Sequence, residues 1–312
     1  SLIGLLFFIP PIIHTIYEHF IKKESYIHLY KSNLPNYQNT VWAKEHFKEY
    51  SSLNSKYFDY YGWRRADFAG ETINIKDGLR QTVQSKEINN DFVLWFFGGS
   101  TMWGTGVNDE NTLPSLIAKD TNYFSINFGE SGYTSRQSLA YLNNLYILQK
   151  NHQSRKKVIF LDGVNDVIAN CSKDIKNIES YYQRKIRKMF SEKLSSNSLS
   201  FKNTFEQWRI FIEKLSMYFN LNNKNNFEAN YDCHINDTKA KKVANYLVDS
   251  WINAKALVES RGDQFFAVLQ PNSFIGVSDL RHIKKKRIYQ LQYEKLYPLI
   301  KKAAEDKEIE YL

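Results

Sequence analysis

From residue 91 onward, short unbroken apolar runs alternate with longer stretches whose apolar residues recur at helical spacing. Residues 92–97 are continuously apolar and end in Gly98 and Gly99. That is the pattern of a strand buried on both faces. Residues 123–127 are a second strand candidate, ended by Gly129. Residues 157–162 form a third, ended by Gly163, and residues 264–269 a fourth, ended by Pro271. An alternating run at 308–312 predicts a fifth strand. Between them, 134–149, 237–260 and 281–304 carry leucines, valines and aromatics at helical spacing, with Pro298 marking a kink or break in the last. Strands alternating with helices predict an α/β domain with a parallel sheet covered on both faces. Ligands of such sheets sit at the carboxyl ends of the strands.

The remaining segments are less regular. Residues 24–90 are polar and aromatic with little periodicity, and the ring-dense stretch 57–63 reads as a packed loop covering the core. About 100 residues separate the third and fourth runs, far more than a crossover helix requires. Within them, 172–232 is rich in Lys, Asn and Ser and reads as a helical insertion beside the site, shaping substrate or partner contact or decorating the surface. At the start, residues 2–13 are almost wholly apolar. Two readings stand for residues 1–20, a membrane-anchor remnant and a buried N-terminal helix. No small-residue cleavage site follows, which favours an anchor over a removable signal peptide.

Composition narrows the function classes. A hydrophobic fraction of 43%, with 21 Tyr and 21 Phe among 312 residues, argues against wholesale disorder. The net charge is +9, but the lysines are spread along the chain, which suits a solvated basic surface. No zinc-finger spacing or RNA-binding aromatic motif is present, so nucleic acid is not expected as a partner. Two cysteines, Cys171 and Cys233, cannot build a four-cysteine metal site. They flank the insertion, and both a disulfide and two free thiols are consistent with that placement.

Candidate chemistry lies at the ends of the first three strands. The clusters are Gly98, Gly99, Ser100 and Thr101; then Asn127, Gly129, Ser131 and Gly132; then Asp162, Gly163, Asn165 and Asp166. A parallel sheet brings them to one edge. A hydroxyl on a glycine-flanked turn, a glycine-rich turn with free N–H groups and a side-chain amide together make a nucleophile and an oxyanion hole. Competing glycine motifs fail. Thr105 stands where a phosphate-binding loop needs Lys, and Asp109 where a dinucleotide fingerprint needs its third Gly. The nucleophile elbow G-x-S-x-G is absent around Ser100. Asp166 reads as a helix cap or loop brace.

Taken together and in order, these clusters resemble the conserved blocks of the SGNH/GDSL-type hydrolases. Gly98, Gly99 and Ser100 match the first block, with Gly99 where that family usually has Asp. Asn127–Gly132 matches the second and Gly163–Asp166 the third. The resemblance implies Ser100 as nucleophile and Gly132 and Asn165 as oxyanion donors. It implies a flavodoxin-like three-layer α/β/α fold over 91–312, with the insertion as an extra. It implies a Ser-dependent esterase or O-acyltransferase acting on acyl, notably acetyl, esters of a carbohydrate or cell-surface polysaccharide, without metal or organic cofactor. More loosely, residues 1–90 resemble the membrane-proximal part of extracytoplasmic, polysaccharide-linked members, with 21–90 as a cap segment.

The general base is the open position. The family supplies it from D-x-x-H after the fifth strand, which falls past Leu312. Asp279 and His282 satisfy the pattern, but directly behind the fourth strand, where a helix cap and a surface histidine are the plainer reading. A chain without its base would instead be a non-catalytic module binding glycans or proteins through the same cleft.

Overall fold

Four of the predicted runs lie side by side in one sheet. A computed structural model describes residues 31–148, 154–173, 175, 231–276 and 287–312. The apolar segment of residues 1–20, nearly all of the 172–232 insertion, and Asp279 and His282 lie outside the described residues. The parallel strands are β6 (Asn89–Gly98), β7 (Tyr123–Asn127), β8 (Arg155–Asp162) and β9 (Gln264–Leu269). Their spatial order is β7-β6-β8-β9. Tyr311 adds a parallel bridge to Ala267, at the place of a fifth strand. The parallel order is therefore 2-1-3-4-5, that of flavodoxin-like folds, in which the switch point falls between the first and third strands, here β6 and β8.

Alternation along β6 explains why the strand is apolar throughout. Trp95 and Phe97 face one layer, packed with Val158, Phe160, Leu142, Leu247, Trp251 and Leu296. Leu94 and Phe96 face the other, packed with Met102 and Leu161. Each fully buried side chain of this size stabilises the fold by about 1.5–3 kcal/mol. The first layer is built by α4 (Ser135–Leu148), α6 (Asp237–Glu259) and α7 (Arg287–Asp306). The second includes α2 (Ser100–Trp103) and α3 (Leu113–Thr121). A short α5 (Val164–Asn170) follows β8.

Two features depart from the sequence expectation. Helix α7 runs through Pro298 without a break. Pro298 is exposed, so the carbonyl it leaves unpaired one turn earlier faces water, while Leu296, Tyr297 and Ile300 are held in the core. The second departure is in the first 90 residues. After α1 (Ala43–Ser52), a hairpin forms from β1 (Ser55–Phe58) and β2 (Gly62–Arg65). Then β3 (Phe68–Ala69), β4 (Asn74–Lys76) and β5 (Leu79–Arg80) extend the main sheet antiparallel beyond β7, giving seven strands. The ring-dense stretch is thus this hairpin, with Tyr57 paired to Trp63.

Cys171 and Cys233 form a disulfide across a sequence separation of 62. Closing a loop of that length restricts the unfolded chain by about 4 kcal/mol in the chain-entropy account. The bridge ties the end of α5 to the segment leading into α6. Among the described residues, no helix is long and apolar enough to cross a membrane.

Candidate active site

Ser100 follows β6 as the first residue of α2 and is half-buried. Its hydroxyl has no hydrogen-bond partner among the described residues. Its backbone N–H, at the start of a helix, has no acceptor there either. Before it stands Gly99, where a β-carbon would displace the side-chain amide of Asn165. Asn165 lies in the first turn of α5, after β8. One N–H of its Nδ2 group donates to the Tyr133 carbonyl at 2.7 Å, which fixes the amide plane and leaves the second N–H open.

Gly132 belongs to the loop after β7. Tyr133 N–H donates to the Glu130 carbonyl at 3.1 Å, closing a tight turn. Gly132 has a φ of +84° within it, which favours glycine strongly. Its N–H, too, has no acceptor among the described residues. The turns that carry Ser100, Gly132 and Asn165 are thus in contact, through Gly99 against Asn165 and through the Glu130 N–H, which donates to the Gly98 carbonyl at 3.0 Å.

The loop carrying Gly132 is braced by buried side chains from the β1–β2 hairpin and from the loop itself. The fully buried guanidinium of Arg64 donates from Nη1 to the Phe128 carbonyl at 2.9 Å and from Nη2 to the Gly129 carbonyl at 3.1 Å. Its Nε donates to the Gly78 carbonyl at 2.8 Å, and it lies over the Tyr141 ring at 4.6 Å. Glu130, also fully buried, accepts from the N–H of Arg65 at 2.8 Å and of Ser131 at 2.7 Å. Burial pushes the Glu130 carboxyl upward, against the opposing pull of Arg64 and Arg65. The indole Nε1 of Trp63 donates to the Ser131 carbonyl at 3.1 Å. No motif announces these residues. The only signal was a dense aromatic stretch beside two arginines.

Two further contacts frame Ser100. Arg80 pairs with Asp109 at 2.9 Å and donates to the carbonyls of Gly104 and Val107, holding the loop after α2. Gln270, just past β9, donates from Nε2 to Thr101 Oγ1 at 2.7 Å and is held by the Tyr297 hydroxyl on its carbonyl.

Asp166 does not face Ser100. Its carboxylate accepts the N–H and hydroxyl of Ser135, the latter at 2.6 Å, and so caps α4. Asp162 accepts from Trp251 Nε1 at 3.3 Å. Burial raises both carboxyls, and the charge of Asp166 raises Asp162 further.

The described histidines are occupied elsewhere. His46 is buried in α1 beside Thr72, and burial, aided by the charge of Arg80, lowers its pKa to about 4. His234 pairs with Gln292. Among the described residues, no cluster of three or more His, Cys, Asp or Glu could hold a metal ion. A cavity of about 490 Å³ opens past the end of β9, between Leu269, Asn272, Tyr297 and Tyr311. None of Ser100, Gly132 and Asn165 lines it.

No family model and no curated protein matches the chain. Solved structures similar to it include a lipolytic protein of the G-D-S-L family from Veillonella parvula DSM 2008, at 11% identity and a TM-score of 0.35, covering 70% of this chain and 76% of that one. The SGNH-hydrolase family esterase AlinE4 is similar at 12% identity and a TM-score of 0.34, covering 72% and 77%. A putative lipolytic protein of the G-D-S-L family from Desulfitobacterium hafniense DCB-2 is similar at 14% identity and a TM-score of 0.25, covering 68% and 99%. Likeness at these levels leaves the site to be read from the residues of this chain.

Proposed function

We propose that the chain is an SGNH-type serine hydrolase or O-acyltransferase acting on acyl esters of a carbohydrate. One observation carries the reading. The turns that carry Ser100, Gly132 and Asn165 touch, with Asn165 Nδ2 against Gly99 and the Glu130 N–H on the Gly98 carbonyl, and the Ser100 hydroxyl and the N–H groups of Ser100 and Gly132 have no partner among the described residues.

In this reading Ser100 Oγ attacks the ester carbonyl carbon and its proton passes to a base. The carbonyl oxygen becomes an oxyanion, received by the N–H groups of Ser100 and Gly132 and by Asn165 Nδ2. Each such donor is worth about 10²–10³ in rate. Collapse breaks the bond to the alcohol, which takes the proton and leaves an acyl group on Ser100. Water then gives hydrolysis, and a sugar hydroxyl gives transfer. A free serine is a weak nucleophile, so the reading calls for a histidine from outside the described residues, His282 or one after the fifth strand. The Cys171–Cys233 disulfide and the apolar first residues support an extracytoplasmic, membrane-attached setting.

The second reading, a non-catalytic glycan- or protein-binding module, is favoured by one observation: neither described histidine reaches Ser100. Acetate release from p-nitrophenyl acetate and from acetylated oligosaccharides separates the two. The enzyme reading expects turnover that disappears in Ser100→Ala. Turnover that survives in the variant, or absence of turnover by the full-length protein, favours the module. A product acetylated on an added sugar distinguishes transfer from hydrolysis.

A further inference from the structure

The peptide bond between Ser131 and Gly132 sits at the centre of the turn closed by Tyr133 N–H and the Glu130 carbonyl. With φ of +84° at Gly132, the third residue of the turn, it has the type II arrangement. Type I and type II turns differ chiefly by a rotation of this central peptide through roughly half a turn, since ψ of the second residue and φ of the third both change by about 150° or more. Glycine at the third position accepts either form without a steric cost. The backbone alone therefore does not decide which way the Gly132 N–H points.

Trp63 supplies the missing constraint. Its Nε1–H donates to the Ser131 carbonyl at 3.1 Å. In a trans peptide the C=O and the next N–H point in opposite directions. A donor on the Ser131 carbonyl thus aims the Gly132 N–H the other way. Trp63 is itself held in place. Trp63 pairs with Tyr57 in the hairpin, and its carbonyl accepts the Tyr133 hydroxyl at 2.7 Å. Its ring meets Tyr133 edge-on with centroids 5.4 Å apart, and its Cζ2 lies 3.4 Å from where a β-carbon on Gly132 would stand.

We infer that Trp63 is a positioning residue of the site: its indole N–H locks the Ser131–Gly132 peptide in the orientation that presents the Gly132 N–H as an oxyanion donor. The role as donor rests on the function proposed above; the locked orientation does not. The lock also explains how the β1–β2 hairpin, outside the parallel sheet, enters the chemistry. A flipped peptide would turn a carbonyl oxygen toward the developing oxyanion, replacing attraction with repulsion.

The test uses two variants of the full-length protein. Trp63→Phe keeps a ring and removes the donor. Replacement of Trp63 by 3-benzothienylalanine keeps the shape of the indole and removes only the N–H. Two quantities are measured, the nuclear Overhauser effect between Ser131 Hα and Gly132 HN, strong in a type II turn and weak in type I, and the rate of fluorophosphonate labelling of Ser100. The expected result in both variants is a weakened Overhauser effect and labelling slowed about tenfold or more, part of the 10²–10³ that one donor is worth. An unchanged Overhauser effect in the benzothienyl protein overturns the inference, whatever the labelling does, because the peptide then holds without the indole N–H. Failure of the wild-type protein to label at Ser100 would count against the esterase reading instead, and the Overhauser comparison would still decide the role of Trp63.

Discussion

The side-chain amide of Asn165 lies against the α-carbon of Gly99, leaving no room there for a β-carbon. This contact joins the turn after β6 to the turn after β8 and sets the amide beside Ser100.

Gly99→Ala isolates that contact. Gly99 has φ of −83°, so alanine brings no backbone strain of the left-handed kind. The expected outcome is displacement of Asn165 and a loss of ester turnover of about 10² or more, as for loss of one oxyanion donor. Paired turnover and thermal-melting measurements check it. Full activity in the variant would mean that Asn165 does not act where it lies.

Asn165→Ala removes the donor itself. Turnover should fall by about 10²–10³, carried by kcat with little change in KM, because the oxyanion exists only beyond the ground state. The lost bond to the Tyr133 carbonyl should cost about 1 kcal/mol of stability. Steady-state kinetics and denaturant unfolding separate the two effects.

Reduction of the Cys171–Cys233 bridge should lower stability by about 2–4 kcal/mol, because a closed loop spanning 62 positions is opened in the unfolded chain. Melting with and without reductant measures this, and a Cys171→Ser, Cys233→Ser double variant should melt like the reduced protein and no longer respond to reductant.

Two buried carboxyls should give opposite pH dependences. Burial alone would raise Glu49, but the Thr72 hydroxyl and the N–H groups of Glu71, Thr72 and Ile73 outweigh it and hold the carboxyl below its ordinary 4.5. The stability it contributes is present above that value and lost as pH falls through the depressed one. Glu49→Gln should cost about 1.5–3 kcal/mol at neutral pH, with the gap to wild type closing in acid. Asp162 is raised by burial and by Asp166, so wild type loses stability as pH rises through a window above the ordinary 3.8. Asp162→Asn should therefore gain relative to wild type as pH rises. Urea midpoints across pH 3–9 check both signs.

The parallel sheet was legible because the apolar stretches of β6 and β8 are largely buried, and β9, buried only at Ala267 and Leu269, is an apolar run too, each closed by Gly or Pro. Ser100 and Asn165 were legible as candidates because they stand just past the ends of β6 and β8, and Gly132 because it lies in the glycine-rich loop after β7. The braces were not. Strands β3 and β5 are two residues long, too short to show a period. Arg64, Arg80 and Glu130 are charged residues that sequence reading places on the surface, yet each is buried because distant carbonyls, amides or counter-charges satisfy it. Such partners lie tens of residues away and leave no local pattern. Of the kink or break expected at Pro298, the break does not occur, since the proline is exposed and the residues beside it on the inner face are held in the core.

The chemistry proposed for the site turns on Ser100 as the nucleophile. The most direct measurement is to treat the full-length protein with a fluorophosphonate and locate the adduct by peptide mass spectrometry. The account predicts one adduct, on Ser100, absent after heat denaturation and absent in Ser100→Ala. An adduct on another residue, or none on the folded protein, would contradict it.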